Sequence, residues 1–229
     1  MREIGDEFGI ALESLAMGIV SYHARVDESL LEALQTNPDL FWELPEDSDP
    51  ACAELLYLDK DWSALSWLLS SKAREEQKHD AVLYALARCE AAGENLADPD
   101  AWRTAKLREA SKLGFQPVDT ESMPDDSVLI AIEGRGPRDS RLHGIGYGGR
   151  TFVPDEVAGL SASLDGIIEA DLRKHFDPQV MESYDVAGIL WTEEDPSVID
   201  TILIPCFDRL KAFFRRAALA GQHVVVVHA

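Results

Sequence analysis

From residue 17 to 26 the chain reads MGIVSYHARV, with Val20, Tyr22, Ala24 and Val26 on one side of an alternation and Ser21, His23 and Arg25 on the other. A period of two in β-branched company predicts a strand with one face turned inward. At Asp27 the period changes. Asp27 is an N-cap residue for a helix over ESLLEAL, where Leu30, Leu31 and Leu34 follow helical spacing, and Asn37-Pro38 predicts a second short helix over DLFWEL. PEDSDP at 45–50 is a charged loop without an apolar face. Leu55, Leu58, Trp62, Leu65 and Leu69 then recur at spacings of three and four, which predicts a helix over 51–71 with a break near Asp59.

Residues 72–113 carry strong helix formers punctuated by Gly93, Asp98-Pro99 and Gly114, the pattern of a helical hairpin. A loop rich in proline, aspartate and serine follows to Asp126. SVLIAI at 127–132 is short, apolar and β-branched, and predicts a buried strand. The segment 133–149 has six glycines in seventeen residues and reads as a loop leading into a brief strand at RTFV. Pro154 opens a helix with Val157, Leu160, Leu164 and Ile167 inward, and two short helices divide at Asp177-Pro178. Asp195-Pro196 begins a long C-terminal helix that Pro205 should kink, and HVVVVHA closes the chain as a buried strand. These elements predict one α+β domain, helices covering a mixed β-sheet in which 17–26, 128–133 and 223–228 are neighbours.

Charge narrows the partners. The chain has 42 acids and 21 bases in 229 residues, a net charge of −21, which repels nucleic acid and anionic membranes. Eleven acids lie between Asp27 and Asp61 against the single base Lys60, so this stretch attracts basic proteins. Cys52, Cys89 and Cys206 are odd in number and lack a CxxC spacing, as reduced cysteines of the cytoplasm do. Glu3, Asp6, Glu7 and Glu13 exclude a signal peptide's apolar region, and no apolar run approaches the ~18 residues of a membrane helix.

GIGYGG at 144–149 matches the dinucleotide-binding pattern letter for letter, yet it leads into a strand, whereas that chemistry needs a helix N-terminus on the glycines. It reads as a turn-rich loop. The six histidines include no zinc-helix pair, and no nucleophile motif is present. The expectation is no catalytic set, no metal and no cofactor. Two stretches retain chemical interest: LDKDW, with Asp59, Lys60 and Trp62, and YGGR, with Tyr147 and Arg150. Together these five residues make a candidate small-molecule or anion site; the alternative is a structural ion pair between Asp59 and Arg150.

With MGIVSYHARV, TFVPDEV, FDPQVM, ILWTEED and VVVVHA, these stretches resemble the YfbM-like family of bacterial proteins, a domain of unknown function. The resemblance implies a single α+β domain over 17–229 with a helical insertion at about 72–124. Residues 1–16 are then an N-terminal extension or the translation of an upstream start codon. It also implies a departure: the family often carries W-H-x-x-H where this chain has Trp62, Ser63 and Ser66. The function expected is a cytoplasmic, non-enzymatic interaction or adaptor module that binds a basic protein, in the manner of bacterial immunity proteins. The rival is a ligand-binding protein or enzyme using the LDKDW and YGGR residues.

Overall fold

The computed structural model describes residues 19–45, 54–78, 81 and 125–229. The first strand forms as β1 (Ser21–Val26), and Asp27 caps α1 (Glu28–Thr36) by accepting the Leu30 amide at 2.8 Å. Pro38 opens a 3₁₀ stretch, Pro38–Glu43, in which Asn37 provides no side-chain cap. Beyond it, β2 (Glu54–Leu58) turns through residues 59 and 60 into α2 (Asp61–Leu69). This corrects the helix expected over 51–71. ELLYL is buried at four of five positions, so local spacing is a weak guide, and pairing with β1 decides its conformation.

SVLIAI is corrected in the opposite direction, because it folds as α3 (Ser127–Glu133). Asp126 accepts the Val128 and Leu129 amides at 3.1 and 3.0 Å, and Gly134 ends the helix at φ 60°. A run buried from Leu129 to Ile132 between packed layers suits a capped helix as well as a central strand. The expected helical hairpin at 72–113 lies outside the described residues, except that 71–78 is helical.

The remaining elements follow the sequence pattern: β3 (Gly149–Phe152), α4 (Pro154–Asp165), α5 (Glu169–Arg173), α6 (Pro178–Ser183), α7 (Ile204–Ala220) and β4 (His223–His228). Glu156 compensates for the missing cap oxygen at Val153 by accepting the Val153 amide at 3.0 Å. Before α7 the chain winds as a π-helix over Ile199–Leu203, and Pro205 falls in the first turn of α7. The wider winding places the residue without an N–H at a junction between two kinds of turn.

The sheet runs in the order β2-β1-β4-β3, and all three pairings are antiparallel. The α+β class stands, but the expected mixed sheet does not, since every pairing is antiparallel, and the segment 128–133 that was to join the sheet is helical. Strand alternation divides two cores. Leu56, Leu58, Phe152, Val224 and Val226 pack toward α2, α3, α4 and α7, whereas Ala24, Val26, Leu55, Val225 and Val227 pack under α1, the 3₁₀ stretch, Leu142 and Ile145. Each fully buried valine of β4 contributes about 1.5–2 kcal/mol.

Both faces of β1 are therefore inside, which corrects the one-sided strand. Arg25 is 1% exposed, and its charge is held by Glu54 at 2.6 Å and Gln222 at 2.8 Å. Among the described residues no helix is long and apolar enough to cross a membrane.

Candidate partner-binding surface

The acidic stretch divides between the two sides of the sheet: α1 and the 3₁₀ stretch cover one face, whereas Glu54 reaches Arg216 of α7 and Asp61 begins α2 on the other. Asp27, Glu28, Glu32, Asp39, Glu43 and Asp59 are exposed, Asp61 is half-buried and Glu54 is buried; Glu46, Asp47 and Asp49 lie outside the described residues. Tyr22 of β1, Phe41 and Trp42 of the 3₁₀ stretch and Tyr57 of β2 come together. The Tyr22 ring centroid is 5.1 Å from that of Trp42 and 5.2 Å from that of Tyr57, and Phe41 meets Trp42 nearly perpendicular at 5.1 Å. Trp42 is nevertheless 44% exposed and Tyr57 36%.

Carboxylates rim these rings. Asp39 stands one 3₁₀ turn before Trp42 on the same side, Glu43 follows it, and Asp59 is near enough to Tyr57 for its charge to act on the phenol. Burial and then the Asp59 charge push the Tyr57 phenol up, and burial followed by Asp59 raises the Asp61 carboxyl. Cys206, a free buried thiol, is pushed up to about 12 by burial and by the nearby Asp61 charge, so it is inert as a nucleophile. Exposed ring faces beside carboxylates have the chemistry that suits guanidinium and ammonium groups, ring-face attraction and ion pairing together.

The five residues singled out from LDKDW and YGGR disperse. Asp59 joins the aromatic surface. Lys60 sits half-buried at the start of α2. Trp62 donates its Nε1 proton to the Ile19 carbonyl at 2.9 Å and lies edge-on to the His228 ring at 5.0 Å. Tyr147 is exposed, and its amide donates to the His228 carbonyl at 2.9 Å, so Trp62 and Tyr147 both reach the end of β4. Arg150 is buried on β3, over the Phe152 ring at 4.3 Å and paired with Glu156 at 3.4 Å. The Asp59–Arg150 ion pair is thus corrected: β2 and β3 are the two outer strands, on opposite edges of the sheet.

The GIGYGG loop does lead into β3, with Gly146 at φ 51° and Gly148 at φ 93°. Arg138 NH1 donates to the Tyr147 and Gly148 carbonyls at 2.7 Å each, pinning the loop. The preceding segment from Pro137 to Arg141, α1 and the outer end of β3 enclose a half-open cleft of about 340 Å³. His223 and His228 tie the ends of β4 to neighbouring elements, through Glu28 at 2.7 Å and the Glu133 carbonyl at 2.9 Å. Among the described residues no three histidine, cysteine, aspartate or glutamate side chains are grouped to hold a metal ion.

The aromatic cluster escaped the sequence reading because Tyr22, Trp42 and Tyr57 lie on three separate elements. The one available signal was Trp42 beside Phe41 in so short a helix, where both rings cannot face inward.

A four-stranded antiparallel sheet between two helical layers defines an α+β protein with an acidic, aromatic outer surface on one layer. The chain belongs to the family described as Domain of unknown function (DUF1877), which matches residues 17–112 and 136–227. It is similar to YfbM from Escherichia coli, a protein of unknown function with a crystal structure. The two are 15% identical over 91% of this chain and 98% of that one, with a TM-score of 0.50, a likeness of fold. No curated protein matches the chain.

Proposed function

We propose that the chain is an interaction module that docks a basic protein partner on the exposed carboxylates and rings around Trp42, within the acidic stretch 27–61, as an immunity protein covers a basic toxin. The observation that carries this reading is Trp42, exposed by 44% although Tyr22 and Phe41 hold its ring edge-on. Large rigid aromatic side chains that keep contact area available at little entropic cost are the usual anchors of protein interfaces, each worth about 2 kcal/mol or more. The net charge of −21 adds long-range attraction, which raises association rates by roughly 10- to 1000-fold and fades with salt.

The test uses a dye-labelled synthetic peptide of alternating arginine and alanine, followed by fluorescence anisotropy. Saturable binding is expected at low salt, with at least a roughly tenfold loss in Trp42→Ala and a further loss in Asp39→Asn/Glu43→Gln. Binding untouched by all three substitutions, or none at low salt, overturns the reading.

A further inference from the structure

The second feature is the cleft beside the glycine loop, on the opposite side of the sheet's width from Trp42. Its wall carries Arg138 and Arg141, two guanidiniums in a strongly acidic chain. Arg141 is already engaged: its Nε and NH2 donate side by side to the two oxygens of Asp139, each at 3.0 Å. Asp139 is further held by Gln35 at 2.9 Å; burial opposes its ionisation, but these hydrogen bonds, Arg141's first, keep its carboxyl below the ordinary value.

Arg138 differs. NH1 alone is used, by the Tyr147 and Gly148 carbonyls, and Gly148 at φ 93° gives the loop the turn that presents both carbonyls. Among the described residues nothing bonds its Nε and NH2. Those two N–H groups form the parallel fork that takes a carboxylate or phosphate through two hydrogen bonds, as Arg141 takes Asp139. Of the remaining polar lining groups, Glu28 and the His223 ring are joined to each other at 2.7 Å, and Leu31 and Val153 provide apolar wall. With Arg141 held by Asp139, Arg138 is the guanidinium of this cleft that keeps two N–H groups for a ligand.

We propose that this cleft binds a small oxyanion-bearing molecule, a carboxylate or a phosphate, on the Nε–NH2 fork of Arg138, and that the GIGYGG loop serves to hold that arginine in place. The site is independent of the Trp42 surface. A cleft of about 340 Å³ suits a compact metabolite with one apolar side.

The experiment is an NMR titration of the ¹⁵N-labelled full chain with sodium benzoate and, separately, sodium phosphate, against sodium chloride at equal ionic strength. Saturable shifts are expected at Thr151 and Val153 and at the Arg138 Nε with a Kd of about 1 mM or tighter, absent with chloride. Benzoate alone saturating assigns a carboxylate ligand, and phosphate alone assigns a phosphate. Arg138→Gln should weaken binding at least about tenfold, and Val153→Trp, which narrows the cleft while leaving the loop clamp intact, should do the same. No saturable shift from either anion below about 10 mM, or equal affinity in Val153→Trp, overturns the proposal.

Discussion

A Cβ on Gly146 would stand 2.2 Å from the carbonyl oxygen of His228, closer than any pair of such atoms can approach. The glycine also sits at φ +51°, and its neighbour Tyr147 donates its amide to that same carbonyl. Gly146→Ala is therefore expected to destabilise the fold by about 2–3 kcal/mol, from the clash and the lost dihedral freedom together. A urea midpoint equal to that of the parent chain would show that the loop does not depend on this approach.

Acid should unfold the chain through a buried imidazole. His23 is 0% exposed and donates its Nε2 proton to the Ala131 carbonyl at 2.9 Å; burial lowers it from 6.5 to about 4. The unfolded chain takes up the proton first as pH falls, so the stability contributed by neutral His23 is complete above pH 6.5 and drains away toward pH 4. The loss amounts to about 3 kcal/mol. His228, lowered by its own burial, acts in the same direction. Urea midpoints measured from pH 7 to pH 4.5 should fall, and His23→Gln should flatten the slope.

Glu54 joins two arginines: it accepts from the buried Arg25 at 2.6 Å and from Arg216 at 2.9 Å. Burial opposes its ionisation, but Arg216 and Arg25 hold its carboxyl below the ordinary value. Glu54→Gln keeps the shape and removes the charge that balances Arg25. A loss of about 3 kcal/mol is expected, and Leu at the same position should be no better. Thermal melts of the two variants check this.

Ala187 lies in the left-handed region at φ 60° and ψ 8°, next to Gly188 at φ 63°. Ala187→Gly should stabilise the chain by up to about 1 kcal/mol, since the steric cost exceeds the glycine's added chain entropy. Nothing lies within 4 Å of a Cβ on Gly188, so Gly188→Ala should cost about 1 kcal/mol by backbone strain alone. Opposite shifts in denaturation midpoint at unchanged slope are the signature; shifts of the same sign would refute it.

Wherever a local signal was sufficient, the order of elements could be read from the chain. Asp27 before α1, Asp177-Pro178 before α6 and the alternation into β1 each set a short-range preference that the fold kept. ELLYL and SVLIAI exchanged identities because both are apolar runs buried nearly all round, in which local spacing and β-branching are weak guides. For ELLYL, hydrogen bonding to β1 outweighed the three-residue leucine spacing, and for SVLIAI the caps at Asp126 and Gly134 outweighed β-branching.

The sequence alone established that residues 27–61 are acidic, since charge is a sum over composition. Only the tertiary structure brought Tyr22, Trp42 and Tyr57 together, and only it left one face of the Arg138 guanidinium without a partner. Side-chain meetings across strands depend on register, and register is chosen by burial of the whole sheet, which no short stretch of this chain contains.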